Sequence, residues 1–212
     1  MKKYRLVVFD LDGTLADTSL GILNSHRYAH KMMGRQEPTD AELCGVIGGP
    51  LLQTYQTRFG FSDDDARRAV DFYRSYYAEK GIHEASLYPG MKDTLRELNR
   101  RGILLGVATL KAERFGKTML EEMGVANLFH IIRGMDETDT RTKAKLIQMC
   151  ITEAEIALGE TIMVGDSVHD FKGAKEIGVD FLAVTYGFGF VKGETPLEYV
   201  CHSPMEICSR IL

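Results

Sequence analysis

The sequence predicts an α/β protein: a Rossmann-like parallel sheet core carrying an inserted helical-bundle domain. Three observations predict it. Four short apolar runs recur along the chain: Leu6-Val7-Val8-Phe9, Ile103-Leu104-Leu105-Gly106-Val107-Ala108, Thr161-Ile162-Met163-Val164 and Phe181-Leu182-Ala183-Val184. Runs of this length read as strands buried on both faces, and helical patterns precede the later three, which implies βαβ units with right-handed crossovers. Finally, roughly 70 residues of helical periodicity, Thr18 to Ser86, separate the first run from the second, too many for a crossover.

Each element follows from its own residues. The basic start Met1-Lys2-Lys3-Tyr4-Arg5 leads into an apolar run too short for a signal peptide and ending in acids, so it reads as the first strand. In the helical stretch, three apolar stripes stand out: Leu20, Leu23, Ala29 and Met33; Leu52, Tyr55 and Phe59; Val70, Tyr73 and Tyr77. The expected division is therefore 1–16 with 87–212 as the α/β core and 17–86 as the inserted helical domain. Its hinges are Ala16-Asp17-Thr18 and Ser86-Leu87-Tyr88-Pro89-Gly90. Met91 to Arg101 reads as a helix with Leu95 and Leu98 on one face and Gly102 as its stop. Glu113 to Met123, Thr142 to Cys150, and Val168 to Ile177 closed by Gly178 are further helices. His130-Ile131-Ile132-Arg133 is a shorter strand. Residues 195–212 read as a short return strand and a final helix.

Composition narrows the function. Lys+Arg is 26 and Asp+Glu 30, a net charge of −4, which excludes the basic footprint of a nucleic-acid binder. With 44% hydrophobic and 26% charged residues the chain is an ordinary globular protein. No apolar run approaches the roughly 18 residues of a membrane helix. The cysteines Cys44, Cys150, Cys201 and Cys208 lack CxxC or zinc spacing, so free thiols in a cytoplasmic setting are expected. Composition thus points to neither nucleic acid nor membrane as a partner; monomer and homodimer stay open.

The chemistry should sit beyond the carboxyl ends of the strands, where open parallel sheets bind ligands. Asp10 and Asp12 follow the first run, Thr109 the second, and Gly165, Asp166 and, a turn later, Asp170 the third. Any one Asp could be a turn or helix-cap residue. Four at matching strand ends imply convergence on one crevice, and like charges that close need a counter-charge. A hard divalent cation held by oxygens supplies it, and Mg²⁺ suits a site that also takes a phosphate. Asp10 and Asp12 can both point into the site only if the backbone turns between them, which Gly13 permits, and Thr14 with the following amides would cradle an anion at the start of the next helix, so Gly13 and Thr14 are substrate-binding candidates. A carboxylate can attack phosphorus, and a second can protonate the leaving oxygen and then activate water.

Asp10-Leu11-Asp12-Gly13-Thr14, Thr109 and Gly165-Asp166-Ser167-Val168-His169-Asp170 together resemble the haloacid dehalogenase superfamily of phosphatases, and within it the phosphoglycolate-phosphatase-like hydrolases. The resemblance spans the chain, and the helical insertion sits where that family carries an α-helical cap. It implies Asp10 as nucleophile and metal ligand, and Asp12 as general acid/base with its carbonyl on the metal. It further implies Thr109 on the phosphoryl group, and Asp166 and Asp170 as Mg²⁺ ligands. It also calls for a charge-offsetting lysine, Lys143 in preference to Lys145, while Lys111, near Thr109, is a substrate-binding candidate. Two departures stand out: Leu110 where a small polar residue is usual, and no Lys-Pro at the lysine motif.

In the insertion, Gly45 to Leu51 resembles the family's specificity loop, with Gly49 as a substrate-binding candidate; an ordinary helix–helix turn is the competing reading. Arg74 suits an anionic substrate end, against the plainer reading of a surface arginine. His26 and His30 share a face and read as solvated or interhelical. Cys44 reads as a small buried hydrophobe, and Met32, Met33, Met119 and Met123 as core filling. A hexose phosphate mutase of the same fold is the alternative function. It would carry a histidine about a dozen residues past the nucleophile, where this chain has Ile22, with His26 one turn on. A receiver-type signalling domain, or a catalytically silent phosphate-binding relative, fits less of the pattern.

Overall fold

The run Leu6–Phe9 is strand β1, and none of its four side chains reaches solvent. A strand buried on both faces must lie inside a sheet covered by helices. The computed structural model describes residues 4–48, 51–136, 140–190 and 199–212. The chain divides into two compact units, Met1–Asp17 with Ser86–Leu212, and Thr18–Ala85. Strand β2 (Ala16–Asp17) ends the first stretch of the α/β unit.

The second unit contains α1 (Ser19–Met32), α2 (Asp40–Leu43), α3 (Leu51–Thr57), α4 (Asp63–Glu79) and a 3₁₀ turn, Gly81–His83. Thr39 and Glu42 close a reciprocal capping box on α2, and Ser62 caps α4 ahead of three acids. The buried face of α1 differs from the expected stripe. Gly21, Ile22, Ser25, His26, Ala29 and His30 face inward, while Leu20 is 57% exposed and Met32 is exposed as well. Of the expected stripe Ala29 is buried, Leu23 and Met33 are half-buried and only Leu20 is exposed; the inner face carries polar residues, which apolar spacing alone does not mark. Gly21 is required because a Cβ there would lie 2.1 Å from the Gly81 carbonyl oxygen. His26 and His30 are buried between helices rather than solvated. Tyr55, Phe59 and Tyr73 surround His26 at ring distances of 5.4, 5.6 and 4.8 Å. Cys44 is exposed, not buried: it follows the short α2, whose Leu43 fills the interior instead.

In the α/β unit the chain resumes as β3 (Ser86–Leu87), which pairs antiparallel with β2. Then come α5 (Met91–Arg100), β4 (Leu104–Ala112), α6 (Glu113–Glu122), β5 (Ile131–Met135) and α7 (Lys143–Ala154). They are followed by β6 (Thr161–Gly165), α8 (Val168–Ile177), β7 (Asp180–Val184), β8 (Val200–Cys201) and α9 (Pro204–Ile211). The sheet order is β5-β4-β1-β6-β7-β8, with every pairing parallel. From β1 the chain crosses first to β4 on one side and later to β6 on the other, which opens a crevice at the carboxyl end of β1. Leu146, Ile147, Cys150 and Ile151 of α7 pack on Leu6, Val8 and Met163. The second strand outruns its apolar pattern: β4 continues through Thr109, Leu110 and Lys111, with a register shift before Ala112 pairs with Met135. Such an irregularity re-aims side chains at a strand end. Among the described residues no helix is long and apolar enough to cross a membrane.

Burial, and next the neighbouring His30, push the His26 imidazole down to about 3. Its Nδ1 shares a hydrogen bond of 3.2 Å with the Tyr55 hydroxyl, and its Nε2 is buried with no hydrogen-bond partner among the described residues. The unfolded chain takes up this proton near pH 6.5 and the folded one does not until far lower. The stabilisation is complete above about pH 6.5 and falls by about 1.4 kcal/mol per pH unit below it. Urea unfolding at pH 7 and pH 5 should show a smaller acid loss for His26→Gln than for wild type. Equal losses would show that His26 is protonated in the fold.

Candidate active site

Strand β1 delivers Asp10 to the crevice. Its amide donates to the Val164 carbonyl at 2.9 Å, so the sheet still holds the backbone at this point. The chain then turns sharply, with the amides of Thr14, Leu15 and Ala16 all donating to the Leu11 carbonyl and that of Gly13 to Ala16. These amides build the turn, which corrects the expectation that Gly13 and Thr14 cradle an anion. Gly13 is there for φ +83° and for space, since a Cβ would lie 2.3 Å from Asp166 Oδ2. The Thr14 hydroxyl donates to Asp166 Oδ1 at 3.2 Å.

Strand β6 and the start of α8 supply the other two acids. Ser167 caps α8 in a reciprocal box with Asp170, whose Oδ2 accepts from the Ser167 amide at 3.1 Å and hydroxyl at 2.6 Å. That fixes the Asp170 carboxylate with Oδ1 facing Lys143. Gly165 leaves room for it, because a Cβ there would lie 2.4 Å from Asp170 Cβ. Asp166 Oδ2 accepts from the amides of Phe188 and Gly189 at 2.7 and 3.1 Å.

Lys143 opens α7 behind its N-cap Thr142. Its Nζ donates to Asp10 Oδ1 at 2.6 Å and the Ala108 carbonyl at 2.8 Å, and it lies 2.8 Å from Asp170 Oδ1. Gly173 makes room for its stem, since a Cβ there would lie 2.8 Å from Lys143 Cγ. Lys145, the alternative, is exposed. Asp12 stands apart from these acids and pairs with Lys111 Nζ at 3.0 Å. Thr109 is buried, and its hydroxyl accepts from the Lys111 amide at 3.1 Å. Leu110 is exposed beside it. Arg74 lies on the exposed side of α4, and Gly49 lies outside the described residues.

Asp10, Asp166 and Asp170 are all buried, and one carboxylate oxygen from each lies within 4.8 Å of the others. Burial first, then Asp170, push the Asp10 carboxyl well above its ordinary range, against the pull of Lys143. Burial and Asp170 push Asp166 up to about 6, opposed by the Phe188 and Gly189 amides. Burial alone would lower Lys143, but the carboxylates of Asp10 and Asp170 outweigh it and hold the ammonium charged. Three buried carboxyl groups therefore meet one ammonium. An all-oxygen donor set with excess negative charge fits a hard divalent cation. Among the described residues Asp170 Oδ1 has no hydrogen-bond partner beyond that ion pair, so it retains lone pairs for such an ion.

The turn Thr185 to Phe190 escaped the sequence reading. The fourth apolar run, β7, also ends at the crevice, and Tyr186-Gly187-Phe188-Gly189-Phe190 follows it. Applying the strand-end rule there would have marked it, because alternating glycines signal close backbone approach. Gly187 shows that approach, since its Cβ would lie 2.1 Å from the Gly13 carbonyl oxygen.

Removing Lys143 would leave three buried carboxylates without their ammonium. Lys143→Met should lose about 3–5 kcal/mol of stability in urea unfolding at pH 8. The cost should shrink at pH 5, where the raised carboxyls take up protons. An unchanged midpoint at pH 8 would mean that the ammonium is not needed to hold this cluster.

Residues 7–184 match the family model described as haloacid dehalogenase-like hydrolase. A Pseudomonas aeruginosa protein named 5′-nucleotidase is 35% identical over 99% of this chain and 93% of its own length. The tyrosine-protein kinase PtkA of Mycobacterium tuberculosis is 32% identical over 87% of this chain, which spans 63% of that protein. A Vibrio parahaemolyticus phosphoglycolate phosphatase is 27% identical over 87% of this chain and 85% of its own. The crystal structure of a Clostridium difficile protein assigned as a phosphatase superposes with TM-score 0.91 at 36% identity, covering 100% of both chains.

Proposed function

The chain belongs to the haloacid dehalogenase-like hydrolases, and on that premise we propose that it is a Mg²⁺-dependent phosphomonoester hydrolase acting through an aspartyl-phosphate on Asp10. One observation carries the reading. A buried carboxylate at the end of β1 is bound by an ammonium and grouped with two acids, while a second carboxylate two residues on stays out of that group. Nucleophile and proton carrier are thereby separated.

In this reading an Asp10 carboxylate oxygen forms a bond to phosphorus as the ester P–O bond breaks. The Asp12 carboxyl gives its proton to the leaving oxygen, then takes one from a water molecule. That water displaces Asp10 from phosphorus and releases inorganic phosphate. The Thr109 hydroxyl holds a phosphoryl oxygen, and Lys143 offsets charge on Asp10 and the phosphoryl group. Asp10, Asp166, Asp170 and the Asp12 carbonyl would hold Mg²⁺, which supplies Lewis-acid neutralisation of the phosphoryl oxygens. Lys111 sits beside Asp12 on the leaving-group side and is the substrate contact this unit offers.

The substrate class is a small phosphorylated metabolite. Likeness to a 5′-nucleotidase and a phosphoglycolate phosphatase puts nucleoside 5′-monophosphates and phosphoglycolate first. The free cysteines suit a cytoplasmic setting. The mutase reading loses its support, because His26 is sealed inside the helical unit among aromatic rings.

The test is phosphate release from p-nitrophenyl phosphate with Mg²⁺ or EDTA. Wild type should turn over only with the metal, and Asp10→Asn should lose about 10³-fold or more of kcat while its circular dichroism stays that of the wild type. Turnover in EDTA, or full activity in Asp10→Asn, would overturn the reading.

A further inference from the structure

The turn after β7 does more than close the sheet. Both its amide donors at Phe188 and Gly189 meet Asp166 Oδ2, and the Phe190 amide donates to the Asp166 main-chain carbonyl at 2.7 Å. The Tyr186 hydroxyl, on the same turn, donates to the Thr14 carbonyl at 3.0 Å. Thr14 in turn donates its hydroxyl to Asp166 Oδ1. The two oxygens of one carboxylate are thus aimed from two directions, and Tyr186 ties those directions together. On its other side the Tyr186 ring meets the Tyr88 ring edge to face, with centroids 4.8 Å apart. The Tyr88 amide donates to the Leu15 carbonyl at 3.2 Å. The carbonyls of Thr14 and Leu15, adjacent in the turn, are therefore both held.

We propose that Tyr186 is a positioning residue that sets the divalent-cation affinity of the site by fixing Thr14 against Asp166. This rests on the reading of Asp166 as a metal ligand. A carboxylate whose hydrogen bonds fix its plane presents its remaining lone pairs in one direction, and partners one step removed from a metal typically change affinity by about 10- to 100-fold. Without the Tyr186 hydroxyl the Thr14 carbonyl loses its partner and that peptide is held only from its other end, by the Leu15 amide on the Leu11 carbonyl, so the Thr14 hydroxyl's hold on Oδ1 loosens and Asp166 is fixed less firmly from that side. Thr109 and Lys143 come from β4 and α7, so contacts to the phosphoryl group are untouched. The effect should fall on metal affinity and spare substrate KM.

The experiment is calorimetric titration of the full-length protein with Mn²⁺, without substrate. Tyr186→Phe, which keeps the ring and removes one hydroxyl, should bind about 5- to 10-fold more weakly than wild type. Thr14→Val should weaken binding comparably, and the double variant should be no weaker than Thr14→Val, because both act through one chain of bonds. Tyr88→Leu removes the ring contact but keeps both hydrogen bonds, and should bind as wild type. With saturating Mg²⁺, Tyr186→Phe should keep the wild-type KM for p-nitrophenyl phosphate. Wild-type Mn²⁺ affinity in Tyr186→Phe, with binding lost in Asp166→Asn, would overturn the positioning role. Undiminished binding in Asp166→Asn would instead overturn the metal assignment on which it rests.

Discussion

Lys143 reaches through the α/β unit to place its ammonium between Asp10 and Asp170, and most of the arrangement serves that contact. A charge buried this deeply is costly unless it is paired and hydrogen-bonded. Here Asp10, Asp170 and the Ala108 carbonyl provide the partners. The stem must pass α8, which it can do because position 173 is glycine. Thr142 caps α7 one residue earlier and sets where the helix begins. With three acids and one ammonium the carboxyl groups outnumber their counter-charge, which in the proposed reading a divalent cation would make up. Carboxyl groups crowded in this way work against the folded state when no cation is bound.

The strands, their order of appearance and the acids at their ends were legible because each rests on a local rule. Leu6–Phe9 could only be interior, and Asp10 could only follow it. Lys143 was legible only through the family resemblance, which calls for a lysine near the start of this helix. What stayed hidden is how backbone amides are spent once the chain turns. The amides of Gly13 and Thr14 looked available until the turn used them on Ala16 and Leu11. The turn at Tyr186 spends its Phe188 and Gly189 amides on Asp166, 22 and 23 positions earlier, and left only its glycines as a trace.

The helical unit misled the reading for a different reason. Histidines at 26 and 30 left a solvated and an interhelical reading open, of which the structure takes the second, and Leu20 looks like an inner residue but is exposed. The interior of this unit is aromatic rather than aliphatic, and an uncharged imidazole packs among Tyr55, Phe59, Phe61 and Tyr73 as another ring. A hydrophobicity pattern ranks histidine as polar and cannot anticipate a core in which it counts as a flat, weakly polar plate.

The ribbon of β2 and β3 has a consequence for how such proteins diversify. The chain leaves the α/β unit at Asp17 and returns at Ser86, positions that face each other across an antiparallel pair, about one strand spacing apart. Every strand of the six-stranded sheet lies on the α/β side of that boundary. To the sheet, the 68 residues between are a single loop with adjoining ends. A segment of any length whose own ends meet can replace them without shifting a hydrogen bond in the catalytic half. Selection can therefore exchange the helical segment while the α/β unit and its cluster of acids are inherited whole.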